Sequence, residues 1–150
     1  MKESPEDRKL EEVLRSSRLA AGGFMGHDNR SVSEVIDADA TELSRLGFTK
    51  EQVAERMRQI TKVAISGLGT WVQVGDGMEG KVDEAKGWLI CPWPHKGKLA
   101  KRITVVKVIE TGESIRWSDL NTHLISEHGF FEGKGSDFRI EPRKLIRTIF

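Results

Sequence analysis

The chain has 150 residues, 37% of them hydrophobic and 31% charged, with a net charge of +1. That make-up suits one globular domain able to bury a core and excludes a disordered or fibrous chain. A single cysteine, Cys91, excludes an intramolecular disulfide, and no run reaches the roughly 20 apolar residues a membrane helix needs, so no membrane association is expected. The acidic start, with no apolar stretch behind it, does not read as a signal peptide, and the expected location is cytoplasmic.

Ser4-Pro5-Glu6-Asp7 has the pattern of a helix start, with a serine N-cap, proline at the first helical position and acids facing the positive end of the dipole. Leu10, Val13, Leu14 and Ala21 continue at helical spacing and predict a helix from about 5 to 21. Three glycines in Gly22 to Arg30 break it. Ser31 and Glu34 form a capping-box pair before a second stripe, Val35, Ile36, Ala40, Leu43 and Leu46, which stops at Gly47. Thr49 and Gln52 repeat that cap ahead of Val53, Met57, Ile60 and Ala64, giving a third helix that stops at Gly67-Leu68-Gly69.

The segment from Leu46 to Met57 resembles the opening helix of helix-turn-helix DNA-binding proteins, through its leucine-glycine pair, threonine cap and valine-alanine pair. The resemblance covers about a dozen residues. A helix-turn-helix requires a tight turn and a second helix start, and residues 56–65 have neither, reading as more of the same helix.

From Thr70 the period changes to that of short strands. Residues 70–74, 81–85, 87–91, 102–109 and 113–117 are the candidates, with turns at Gly75-Asp76-Gly77 and Thr111-Gly112. Pro92 and Pro94 close one strand. Ser118 caps a short helix over 119–128 that ends at Gly129, and the tail reads as a strand followed by a helix opening at Pro142. The expectation is a single α+β domain over 1–150: a helical part, 1–66, packed on a small, mostly antiparallel sheet of four or five strands with short helices, 67–150.

The glycine-rich loop over 129–139 has the composition of an anion cradle. Its glycines free backbone N–H groups to converge, and Lys134, Ser136 and Arg139 add donors suited to phosphate or carboxylate. It is not a phosphate-binding P-loop, because glycine rather than serine or threonine follows the lysine. The leading expectation is a binding or regulatory module for a small anionic ligand held by Lys134, Ser136 and Arg139, with Trp117 or Phe131 as an apolar wall. A second expectation is single-stranded nucleic-acid binding by residues 86–107, which hold six Lys or Arg and no acid. There Trp88 and Trp93 would stack on bases beside Lys96, Lys98, Lys101 and Arg102. A third is an enzyme using His128 or His27 as general acid or base, with Asp28 as a partner carboxylate.

By residue type, Cys91, His95, His123 and His128 make a zinc donor set. His123 and His128, however, stand roughly 140° apart around a helix, and neither pair has the close spacing of strong zinc signatures. No metal ligand or cofactor is therefore assigned, and homo-oligomerisation stays open.

Overall fold

The computed structural model describes residues 4–17, 19–20 and 22–150. Helix α1 (Pro5–Arg15) begins at the Ser4–Asp7 capping box. It ends six residues before the expected boundary, where Ser16 turns extended (φ −81°, ψ 158°) and its N–H bonds the carbonyls of Glu12 and Val13. Residue 21 lies outside the described residues. Helices α2 (Val32–Leu46) and α3 (Lys50–Ile65) start at the predicted capping boxes of Ser31 and Thr49, and Gly47 takes the left-handed C-cap at φ 83°. The segment that resembles a helix-turn-helix opening is followed by no second helix start, since α3 runs unbroken through it.

The sheet is a four-stranded antiparallel meander, β1 (Val72–Gly75), β2 (Met78–Leu89), β3 (Leu99–Val108) and β4 (Ser114–Ser118), in sequence order. The two expected strands over 81–85 and 87–91 are one long strand whose register shifts between Glu84 and Trp88. Gly80 lies inside β2, where a Cβ would sit 2.9 Å from Val74 Cγ1. Helix α4 (Asp119–His128) follows β4 directly through the Ser118–Asn121 capping box, and α5 (Pro142–Ile149) opens at Pro142 as predicted. Residues 137–141 form no strand and are tied back by the bond from Ile140 N–H to the Phe131 carbonyl (3.1 Å) and by side-chain bonds from Arg116 and Asn121 to the carbonyls of Asp137 and Phe138.

One core lies between α3, α5 and the sheet, built on Met57, Ile60, Val106, Trp117, Leu145 and Ile149. The indole N–H of Trp117 donates to Thr61 Oγ1 (3.0 Å), which is 2.7 Å from Thr104 Oγ1, so a polar pair fixes the ring in an apolar setting. A second, smaller core joins Leu14, Phe24, Val35, Cys91, Leu124 and Phe130. No helix of the described residues is long and apolar enough to cross a membrane.

Two loops close this second core back to back. The Gly133 N–H bonds the Phe24 carbonyl (2.8 Å), and the His27 N–H bonds the Lys134 carbonyl (3.0 Å). Gly26 has φ 56°, and a Cβ on it would run into the backbone of Lys134, Gly135 and Ser136. Positive φ and a backbone clash that no rotamer relieves both oppose a side chain. Gly26→Ala should therefore cost about 2–4 kcal/mol in urea unfolding, and a loss under about 1 kcal/mol would mean that the loops do not depend on this approach.

Candidate metal centre

The segment leaving β2 carries Cys91, Pro92, Trp93, Pro94 and His95. Two prolines in four residues keep it out of the ladder, and a turn from His95 N–H to the Trp93 carbonyl (2.9 Å) folds it over α4. There Trp93 stacks on the His128 ring (centroids 4.1 Å apart, planes at 7°) and meets Phe130 edge-on at 5.4 Å. This stacking brings Cys91 and His95 to the face of α4 that holds His123 and His128.

The result is a four-donor cluster in which the ligand atoms of Cys91, His95, His123 and His128 all lie within 4.8 Å of one another. His95 Nε2 is 3.2 Å from His123 Nε2 and 3.3 Å from His128 Nε2, and Cys91 Sγ is 3.5 Å from His128 Nε2. A tetrahedral zinc ion with ordinary bond lengths has edges of about 3.3 Å between nitrogens and about 3.5 Å between nitrogen and sulfur. The close pairs match both edges. The 140° between His123 and His128, which argues against a shared ligand set when that pair is taken alone, is bridged by His95, whose ring sits against both.

Hydrogen bonding and charge favour the ligand forms. His95 Nδ1 lies 3.2 Å from the Lys96 carbonyl, which can only accept; the tautomer of the neutral ring that fits carries its proton on Nδ1 and leaves the Nε2 lone pair to the cluster. Burial, with the neighbouring imidazoles adding to it, lowers the His128 pKa to about 4. Burial and the His95 charge also lower that of His123. Both rings are thus neutral at pH 7. Burial raises the Cys91 pKa, opposed by a hydrogen bond from the Trp93 backbone. A divalent cation reverses that balance, because it stabilises the thiolate directly.

The other candidate residues fall elsewhere. Trp117 and Phe131 are fully buried in the main core. Ser136 Oγ donates to Glu132 Oε1 (2.9 Å), and the Lys134 backbone N–H donates to Asp28 Oδ2 (3.1 Å). The Arg139 guanidinium bonds both oxygens of Asp39, the Glu132 carbonyl and Glu141. The side-chain donors of Ser136 and Arg139 are therefore taken up by the protein's own acceptors, and of the loop's three expected contacts only the Lys134 ammonium is not, among the described residues. Its glycines serve the close approach to residues 24–27, with Gly135 under the His27 ring. His27 is exposed, whereas Asp28 is buried and paired with Arg30 (2.7 Å), so the two do not form a dyad. Of the basic strip, Trp88 is 60% exposed with Lys98 Nζ 5.9 Å from its ring, but Trp93 is taken up by His128.

Glu132 is a residue the sequence does not flag. It is buried, holds a left-handed backbone (φ 68°), and its carboxylate accepts from Asn121 Nδ2 (2.8 Å) and Ser136 Oγ. The only local signal is its place before Gly133 in a turn. No family model, curated protein or solved structure matches this chain.

Burial pushes the Glu132 pKa from 4.5 up to about 7, against the hydrogen bonds of Ser136 and Asn121. Between these values the folded chain keeps a proton that the unfolded chain has lost, so stability falls as pH rises from about 4.5 to 7 and levels off above. Glu132→Gln removes this titration while preserving shape and hydrogen-bonding capacity. The variant should be more stable than the parent by about 1–3 kcal/mol at pH 8 and equal to it at pH 4. A variant less stable at pH 8 would contradict the assignment of a costly buried charge.

Proposed function

We propose that this protein is a zinc-binding module in which Cys91, His95, His123 and His128 ligate one ion. The observation that carries the reading is the convergence of a buried thiol and three imidazoles, from two separated segments, within 4.8 Å of one another and with three donor pairs at tetrahedral edge lengths. Thiolate with imidazole suits zinc better than calcium or magnesium, which take oxygen donors. Four protein ligands leave no open position, which is the pattern of a structural ion rather than a catalytic one. Its work is to staple the segment between β2 and β3 to the C-terminal end of α4. The main core lies apart from the ligands, so the fold does not rest on the metal alone.

Protein purified with zinc present should contain about one ion per chain, and chelation should lower Tm by about 10 °C, as expected for loss of a ligand held at about a thousand times its Kd. The double variant Cys91→Ser, His123→Ala should lose the ion and the chelator response together. Negligible zinc in the parent, or full occupancy in the double variant, would refute the site.

A small-anion site retains one supporting observation. A groove of about 450 Å³ runs between the glycine-rich loop and α5, lined by Lys134, Arg143, Lys144 and Arg147 among other charged groups. Arg143 and Arg147 are paired with Glu42 and Glu113, whereas no ion pair is found for Lys134 or Lys144 among the described residues. This reading rests on the two lysines rather than on Ser136 and Arg139. Phosphate or citrate should then raise Tm by about 2 °C or more in the parent and leave Lys134→Ala, Lys144→Ala unmoved; an equal response in both proteins would exclude the groove.

A further inference from the structure

Three buried acids occur among the described residues: Asp28, Asp39 and Glu132. Two of them are neutralised in place. Asp28 takes the Arg30 guanidinium at 2.7 Å, and Asp39 takes that of Arg139. Glu132 has no such partner, since both hydrogen bonds to its carboxylate come from neutral groups, Asn121 and Ser136. Arg139, the nearest guanidinium, is turned to the Glu132 backbone carbonyl (2.8 Å) and to other carboxylates. A buried carboxylate without a counter-charge is costly.

Its backbone adds to that cost. A left-handed conformation is cheap for glycine and strained for glutamate, and Gly133 stands next in the chain. Strain and uncompensated charge on one residue are features that gather at functional sites.

Glu132 also lines a cavity of about 280 Å³ whose walls are mainly apolar, formed by Leu19, Phe24, Leu89, Leu120 and Phe138. Arg102, Lys101 and a second carboxylate, the exposed Asp137, border the same space. Arg102 is neutralised by Asp119 at 2.8 Å and faces Glu84 at 3.8 Å, while Lys101 is exposed at the mouth. None of the four metal ligands lines this cavity. An apolar chamber with a few convergent polar groups is the usual build of a small-molecule site.

We propose that this cavity binds a small organic amine, its ammonium group against the Glu132 carboxylate and its apolar body between Leu19, Phe24, Leu89 and Leu120. The ligand supplies the counter-charge that Glu132 lacks, through a charge-assisted hydrogen bond in a poorly hydrated space. Oxygens that each accept one bond from the protein keep lone pairs for a further donor. Asn121 and Ser136 hold the carboxylate in place, so little is lost in ordering it on binding.

The test is calorimetric titration of the full chain, zinc-loaded, at pH 8 with three probes of one shape: phenethylamine, 2-phenylethanol and 3-phenylpropionate. Phenethylamine should bind one per chain and at least about tenfold tighter than the alcohol, and the carboxylate should not bind, since a charge-assisted bond is worth about 1.5–3 kcal/mol. Glu132→Gln should bring the amine to the level of the alcohol, and Leu19→Trp should block both by filling the mouth. Absence of saturable amine binding, retention of the amine preference in Glu132→Gln, or unchanged affinity in Leu19→Trp would each overturn the proposal. The Leu19→Trp arm decides the matter should Glu132→Gln fail to fold.

Discussion

The metal centre and the amine cavity both depend on helix α4 being fixed at its two ends. At its start, Ser118 ends β4 and caps the helix, its Oγ accepting from the Asn121 N–H (3.0 Å) while Asn121 Oδ1 accepts from the Ser118 N–H (2.8 Å). Asn121 then uses its amide to hold Glu132. At the other end, Gly129 takes the left-handed cap at φ 63° and stops the helix just after His128. A ten-residue helix tied so closely to a strand and a turn has little freedom to rotate. His123 and His128 therefore keep one azimuth relative to the segment that carries Cys91 and His95.

What the sequence carries plainly is local. Capping residues mark the starts of α1 to α4 at single-residue precision, because a Ser or Thr followed three residues later by Asp, Glu, Gln or Asn satisfies two orphan N–H groups at once. The end of α1 is less legible, since Ser16 and Ser17 can continue a helix or cap it, and packing under the 22–28 loop decides. β2 reads as two strands because Lys86-Gly87 mimics a turn; in the sheet it is only a shift in register against β3.

The candidate site is less legible still, and for a physical reason. A zinc site on adjacent residues announces itself by spacing, but this one is closed by a turn folding across a helix, and the distance that matters is between His95 and the two helix rings. Nothing in the 28 positions separating His95 from His123 encodes that approach. Trp93 does, since a tryptophan between two prolines needs a surface to cover, and the His128 ring is that surface. The glycine-rich loop misleads in the opposite sense. Glycines that free N–H groups for an anion look the same in sequence as glycines that permit a close approach, and here Gly26 and Gly133 let two backbones touch while Gly135 makes room for the His27 ring.

Electrostatics separates the two sites further. At the metal centre, burial suppresses charge on Cys91, His123 and His128, keeping those two imidazoles neutral and the thiol protonated until a cation arrives. Without a cation, three imidazole nitrogens facing one another share too few protons to bond well; with one, each lone pair has a single target. Around Glu132 the balance is reversed, because the carboxylate is already met by two donors and lacks only charge. A dication drawn to either place would choose differently. Zinc prefers the thiolate and imidazoles, and the Glu132 chamber offers one buried carboxylate and the exposed Asp137 among mainly apolar walls, too few donors to replace a hydration shell. An organic ammonium gives up far less water and gains the apolar contact as well. The same fold thus presents a soft site at one end of α4 and a hard, buried carboxylate beside the other, each matched to a different class of cation.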